Sequence, residues 1–290
     1  TMSSPVPSYR ESHLGRGVDY HDRFTRNCRR RMMWQIEQGV LDRVLDRFDE
    51  PGCEPAASGT RPPIDYLDFA CGTGRVLAFV SARTASATGI DVSGSMLDVA
   101  KTTAPSAELV MGDITHESNT LDGRTFDLIT AFRFFPNAEP SLRTEAMQAL
   151  VSHLKPEGRL VFNNHRCLSS LRKRLVRGLT LGRRGRSGMT RDEAEQLVTS
   201  GGLEIERIEH AGVIPEYERL ILRPRWIVER VEYLATRLPL AGIAENLVYV
   251  CRRPAAAAPP GSSSFTSTSA CLADGVGSRS DAMARSRSVV

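Results

Sequence analysis

The segment that most constrains this chain is Leu67-Asp68-Phe69-Ala70-Cys71-Gly72-Thr73-Gly74-Arg75. A short apolar run, Ile64 to Phe69, gives way to small residues, and helical patterning follows from about 74 to 83. Small residues between a strand and a helix let a ligand lie against bare backbone. In an open α/β sheet such turns sit at the carboxyl ends of the strands, where ligands bind. Alone, the turn fits any nucleotide-binding fold. Two of those folds are excluded by spacing. The place for a third glycine of the dinucleotide fingerprint holds Leu77, and no Gly-Lys-Ser/Thr follows to make a P-loop.

The same alternation continues downstream. Ala87–Asp91, Glu108–Met111, Phe126–Phe132 and Gly158–Asn163 read as strands. Helices are expected from Ser93, a predicted cap, to Ala100, and near 139–154. Strands alternating with helices imply right-handed βαβ units and a parallel sheet. The strands are nearly continuous apolar runs, as expected where helices cover both faces. Upstream, residues 1–12 are polar and expected to be mobile. Residues 18–48 read as helix, with Trp34, Val40, Leu41, Val44, Leu45 and Phe48 at helical spacings. Residues 51–63 are a linker rich in breakers. Farther on, Thr190 and Glu193 make a capping-box pattern, and Leu203–Ile208 alternates like a half-buried strand. Residues 224–238 read as an amphipathic helix with the stripe Ile227, Val231, Leu234 and Leu238. Asn246–Cys251 reads as a last strand. Beyond 254 the chain is Ala, Pro, Gly, Ser and Thr, a disordered composition.

Two further acids fall in step with the first turn. Asp91, in Gly89-Ile90-Asp91, ends the second strand 23 residues beyond Asp68. A carboxylate there accepts from both hydroxyls of a ribose and repels a 2′-phosphate. Asp113, in Gly112-Asp113-Ile114, ends the third strand, where an acid accepts from an adenine amine. On these residues the chain resembles the class I S-adenosylmethionine-dependent methyltransferases, well over 64–165 and more loosely in the flanks. The resemblance implies an α/β fold: a doubly wound, mostly parallel seven-stranded sheet with an antiparallel last strand. The hairpin of 203–211 with 245–251 fits that ending. Residues 1–50 would form an N-terminal helical lid and 64–252 the cofactor-binding domain. Within that domain, the insert 212–244 before the last strand would cap the substrate side, and 254–290 would be a tail. The resemblance also implies S-adenosylmethionine as cofactor. It would be held by Asp68, Ala70, Gly72, Gly74, Arg75, Asp91, Val92, Asp113 and Ile114. Ala70 stands where the family has its usual first glycine. A folded α/β domain that has lost the ligand is the competing reading.

Methyl transfer from a sulfonium is an in-line displacement, and the enzyme's main task is alignment. A hydroxyl acceptor benefits from a general base, and an amine must arrive neutral. The candidates are His165 after the fifth strand, Arg133 after the fourth, and Tyr20 in the N-terminal helix. His165 is a base or substrate contact, or a structural hydrogen bond. Arg133 holds an anionic or hydroxyl-rich substrate, or pairs with a surface acid. Tyr20 is a lid contact, or packs in its helix. No carboxylate cluster suggests a metal.

Between Arg166 and Arg191 the chain carries nine Lys/Arg residues and no acid. That run suits a phosphate-bearing small molecule. It also suits an anionic membrane surface, with Trp226 and its helix helping, or a solvated loop. A net charge of +4 and an aromatic content of 6% argue against a nucleic-acid platform. The expected function is methyl transfer to oxygen or nitrogen of a small-molecule acceptor, anionic or sugar-like. A nucleic-acid methyltransferase and an inactive, cofactor-binding partner subunit are the alternatives. Six cysteines without a CxxC pair imply reduced thiols rather than zinc or a disulfide scaffold. With no signal-like apolar segment at the polar start and no run long enough to span a membrane, a cytoplasmic location is expected. The oligomeric state is open.

Overall fold

The computed structural model describes residue 9 and residues 28–46, 64–117, 119–165, 167–169, 188–213, 224–235, 237–238, 240, 242–244 and 246–254. The first described helix is α1, Cys28–Asp46. The first βαβ unit comprises β1 (Asp65–Phe69), α2 (Arg75–Ser81) and β2 (Ser86–Asp91). There follow α3 (Gly94–Thr103), β3 (Glu108–Met111), β4 (Phe126–Ala131), α4 (Pro140–Ser152) and β5 (Leu154–Asn164). The chain then forms α5 (Arg191–Ser200), β6 (Glu204–Ala211), α6 (Arg225–Ala235) and β7 (Asn246–Arg252).

The strands form one seven-stranded sheet in the order β3-β2-β1-β4-β5-β7-β6. The first five pair in parallel, and β7 runs antiparallel between β5 and β6. The order reverses beside β1. Consecutive strands step outward through β2 to β3, and the chain returns to the other side at β4. That reversal opens a crevice at the carboxyl ends of β1 and β4, the usual ligand position in such sheets. These elements lie within one compact unit, Thr1–Pro254. Apart from Pro254, the 254–290 tail lies outside the described residues.

Adjacent residues of a strand point to opposite faces, and here both faces are buried. Tyr66, Leu128, Val161 and Val248 enter one apolar cluster; their neighbours Leu67, Ile129, Phe162 and Tyr249 enter the other. Val76, Leu77 and Val80 of α2 cover the first face together with Val40, Leu41, Val44 and Leu45 of α1. Leu142, Met147 and Leu150 of α4 cover the second, with Ala194 and Val198 of α5. Phe162 and Tyr249 stack across β5 and β7 with ring centroids 4.9 Å apart. Helix α1 is also tied down by charge. Arg83, just beyond α2, reaches Asp42 at 3.0 Å and Asp46 at 2.6 Å, and Arg43 reaches Glu209 of β6 at 2.8 Å.

Two local expectations are corrected, at Ser93 and at Tyr9, and the facing of α6, left open by its periodicity, is settled. Ser93 occupies the cap position of α3, but its hydroxyl pairs with Ser95 Oγ at 3.1 Å rather than with a helix amide. Ile227, Val231 and Leu234 of α6 are exposed, as are its Trp226 and Tyr233 and, just beyond the helix, Leu238. The inward side carries Ala235 and the buried Glu232, which accepts from Val213 N at 3.0 Å. Tyr9, within the N-terminal stretch read as mobile, is docked. Its ring meets Phe134 edge-on at 5.3 Å, and its backbone N donates to Glu139 Oε1 at 2.7 Å. Among the described residues no helix is long and apolar enough to cross a membrane.

Candidate functional site

The site grows from the carboxyl end of β1. Parallel pairing sets Asp68 beside Gly89 of β2 and Thr130 of β4. Asp68 is buried, and its Oδ1 accepts from Thr130 Oγ1 at 2.6 Å. Thr130 Oγ1 also lies 2.6 Å from Tyr66 OH. Because the threonine proton goes to Asp68, the tyrosine donates, and a chain of two hydrogen bonds runs through the sheet. The second oxygen, Asp68 Oδ2, is buried and has no hydrogen-bond partner among the described residues. Burial pushes the Asp68 carboxyl up to about 7, against the opposing pull of Thr130, Arg75 and the Leu77 backbone N–H. An orphaned buried acceptor is costly unless a ligand completes it.

Beyond Asp68 the chain makes alternate left-handed steps: φ is +53° at Ala70, +55° at Gly72 and +76° at Gly74. A Cβ on Gly74 would lie 3.0 Å from Ala100 Cβ, so glycine lets α2 and α3 approach. Among the described residues, a Cβ on Gly72 would meet nothing within 4 Å. Ala70 holds the same hand without glycine's freedom, at a cost of about 1–2 kcal/mol.

Asp91 stitches this loop to the second strand. Its two carboxylate oxygens accept from Gly72 N and Ser93 N, each at 2.8 Å. Asp113 follows β3 and accepts at Oδ1 from Thr115 N at 3.0 Å and Thr115 Oγ1 at 2.6 Å. Near these acids the apolar residues are Val92 and Met111, both exposed, and the buried Ile114. Asp68, Asp91 and Asp113 thus stand at the ends of three adjacent strands. Among the described residues no cluster of His, Cys, Asp or Glu could hold a metal ion. Cys71, Cys167 and Cys251 are free thiols.

The remaining candidates divide. The Arg75 guanidinium turns to α1, lying 3.9 Å from the Trp34 ring centroid and 3.5 Å from Glu37 Oε2. Arg133 adopts φ +63°, and its N donates to Asn163 Oδ1 at 2.6 Å. Its guanidinium lies 3.7 Å from Glu37 Oε1, so the acid near it is a buried one from α1 rather than a surface residue. His165 follows β5 at the same end of the sheet, with its Nδ1 buried. Tyr20, Arg166 and residues 170–187 lie outside the described residues.

Glu37, Thr130, Asn163 and Asn246 escape a reading by motif. Only the β strand positions of Asn163 and Thr130 hinted at the site, because polar residues near the ends of apolar strands are unusual.

A family described as "Methyltransferase domain" matches residues 67–158. No curated protein matches by sequence. Among solved structures, a magnesium protoporphyrin IX methyltransferase from Synechocystis PCC 6803 with bound SAH superposes with a TM-score of 0.57 at 14% identity, covering 84% of this chain and 98% of that one. A SAM-dependent methyltransferase from Archaeoglobus fulgidus gives 0.53 at 14% identity, over 81% and 99%. A DhpI–SAH complex gives 0.52 at 15% identity, over 84% and 94%. These likenesses are of fold, and they join the strand order and the three acids. Residues 67–158 match a methyltransferase domain, and the chain has the class I S-adenosylmethionine-dependent methyltransferase fold.

Proposed function

We propose that the protein transfers the methyl group of S-adenosylmethionine to oxygen or nitrogen of a small-molecule acceptor. The observation that carries this reading is Asp68 Oδ2, buried and unpartnered among the described residues, beneath a left-handed loop where no described atom lies within 4 Å of a Cβ on Gly72. When bound, the cofactor supplies a methyl group already activated on a sulfonium. Asp68 holds the ammonium of its methionine part, and Asp91 accepts from the ribose hydroxyls. Val92, Met111 and Ile114 flank the adenine, and Asp113 accepts from its amine.

Arg133 and His165 stand on the acceptor side. His165 takes the proton of a hydroxyl acceptor, and Arg133 orients an anionic or hydroxyl-rich one. Tyr20 contributes a lid contact. The acid-free basic run from Arg166 to Arg191 supports an acceptor bearing phosphate or another anion. Tight alignment is the protein's main contribution to rate; holding reactants in line is worth about 7–11 kcal/mol in the best intramolecular cases.

Calorimetric titration of S-adenosylmethionine and S-adenosylhomocysteine into wild type and Asp91→Ala tests the reading. Micromolar binding by wild type, lost in the variant with its melting temperature kept, is expected. No binding by wild type overturns it.

A further inference from the structure

Helix α6 is fixed from its inner side. The buried Glu232 accepts from Val213 N at 3.0 Å, His210 Nε2 of β6 lies 3.0 Å from Ala235 O, and Ala235 is buried. The outer side carries Trp226, Ile227, Val231, Tyr233 and Leu234, all exposed, and Leu238 follows just beyond the helix. Trp226 and Leu234 keep 58% and 57% of their surface open. Single exposed apolar residues are ordinary, but a contiguous set of them marks a contact surface.

The arc has two unlike edges. At about 100° per residue, the five helical residues and Arg230 span about 160° of the helix. Tyr233, Trp226 and Arg230 fall along one edge, and Leu234, Ile227 and Val231 along the other. The cations lie with the aromatic edge. The Arg230 guanidinium is 5.9 Å from the Trp226 ring centroid, and that of Arg237 is 4.9 Å from the Tyr233 ring, with Arg237 Nη2 donating to Tyr233 OH at 2.8 Å. Among the side chains described from 224 to 238, no exposed one is acidic. A helix with an aliphatic edge beside aromatic and cationic groups suits the plane of a lipid interface, where the aliphatic groups enter and the cations meet phosphates. A second copy of the chain suits it less well. Two such faces brought together would set arginines against arginines with no acid among these side chains to receive them, and like charges in contact cost affinity.

The chain path adds charge at the same end of the sheet. Ala211, the end of β6, pairs with Asn246, the start of β7, and Leu247 pairs with Asn164, the end of β5. The insert that holds α6 and the segment leaving β5 therefore start from the same end. By sequence, that segment carries nine Lys/Arg and no acid from Arg166 to Arg191. We propose that the outer face of α6 docks the protein on an anionic lipid surface, with Ile227, Val231 and Leu234 entering the interface and Arg230 and Arg237 meeting lipid phosphates. None of these residues belongs to the donor site, so the docking surface stands or falls apart from the methyltransferase reading.

The test is flotation of the full chain with two kinds of vesicle, phosphatidylcholine alone and equal parts phosphatidylcholine and phosphatidylglycerol. Binding to the mixed vesicles and not to phosphatidylcholine is expected, with a blue shift of tryptophan emission that Trp226→Ser abolishes. Leu234→Asp should weaken binding at least about tenfold, the worth of one buried leucine. Arg230→Gln with Arg237→Gln should weaken it about fivefold for each charge removed. Melting temperature and donor affinity should stay at wild-type values in these variants. If Leu234→Asp lowers the melting temperature, Ile227→Ser reads the same face by the same criterion. No binding to the mixed vesicles overturns the proposal. Binding that Leu234→Asp or Ile227→Ser leaves unchanged overturns it too, and assigns the contact to the basic run alone. Sedimentation velocity covers the other occupant: a wild-type dimer that Leu234→Asp dissociates makes the face a contact between copies and overturns the lipid reading.

Discussion

Asp68 combines burial, one strong donor and one empty acceptor, and this makes its proton the most informative in the molecule. Its native value of about 7 stands above the ordinary 3.8 because burial disfavours the anion. A ligand ammonium against Oδ2 favours the anion. Donor binding therefore releases a proton below pH 7, and the affinity should rise up to about tenfold per pH unit as pH climbs toward 7, then level off. Titrations from pH 5.5 to 8.5 check this; a flat profile would show that the ammonium sits elsewhere. Asp68→Asn should bind more weakly and without the pH dependence. The effect on folding has the opposite sign. A carboxyl with a raised native value holds its proton where the unfolded chain has lost it, so it subtracts stability as pH rises from about 4 to 7 and no more above that. Gly74 gives a second prediction at this scale. Its φ of +76° and the 3.0 Å approach to Ala100 leave no place for a methyl group. Gly74→Ala should cost at least about 1–2 kcal/mol in urea unfolding. Loss of less than that would mean α3 moves aside freely.

Elements show where local sequence suffices and where it does not. The capping box of α5 was legible because all its parts lie within four residues. Thr190 accepts from Glu193 N at 3.1 Å, and Glu193 accepts from Thr190 N at 2.7 Å. Thr190→Ala should therefore destabilise the protein by about 1 kcal/mol, read as a lower urea midpoint with an unchanged slope. The strands were legible because burial on both faces writes continuous apolar runs, and their ends fell within a few residues of expectation. The exception is β5, which begins at Leu154 rather than Gly158 through a register shift opposite Phe126–Leu128. Ser93 failed as a side-chain cap because a neighbouring hydroxyl at Ser95 competes for it. Helix α6 was legible as an amphipathic helix. Periodicity identifies an apolar stripe but not what it faces, and here a buried Glu232 takes the inner side. The three acids proposed to hold the donor were legible because each stands at the end of its own strand. Glu37 was not, since its asparagine partners lie 126 and 209 residues away and only the assembled sheet brings them together.

At the scale of the whole molecule, α1 decides how the site is built. A lid that opens on a hinge would bury little and would come away at small cost. Helix α1 instead contributes Val40, Leu41, Val44 and Leu45, all essentially inaccessible, to the cluster that covers Tyr66, Leu77, Leu128 and Val248. It therefore covers one face of the sheet, and the same helix delivers Trp34 and Glu37 to the carboxyl end. Folding of that face and assembly of the site are then one event. Leu41→Ala tests this. Deleting a fully buried leucine removes its transfer free energy and leaves a cavity, a loss of about 2–5 kcal/mol. For a detachable lid the global unfolding transition would not move. Here the midpoint in urea should fall by that amount in a single transition followed by both fluorescence and circular dichroism. Donor affinity measured well below the transition should stay close to wild type, because Leu41 touches the core and not the loop. Two separate transitions, the first without loss of sheet signal, would show instead that α1 folds apart from the sheet it covers.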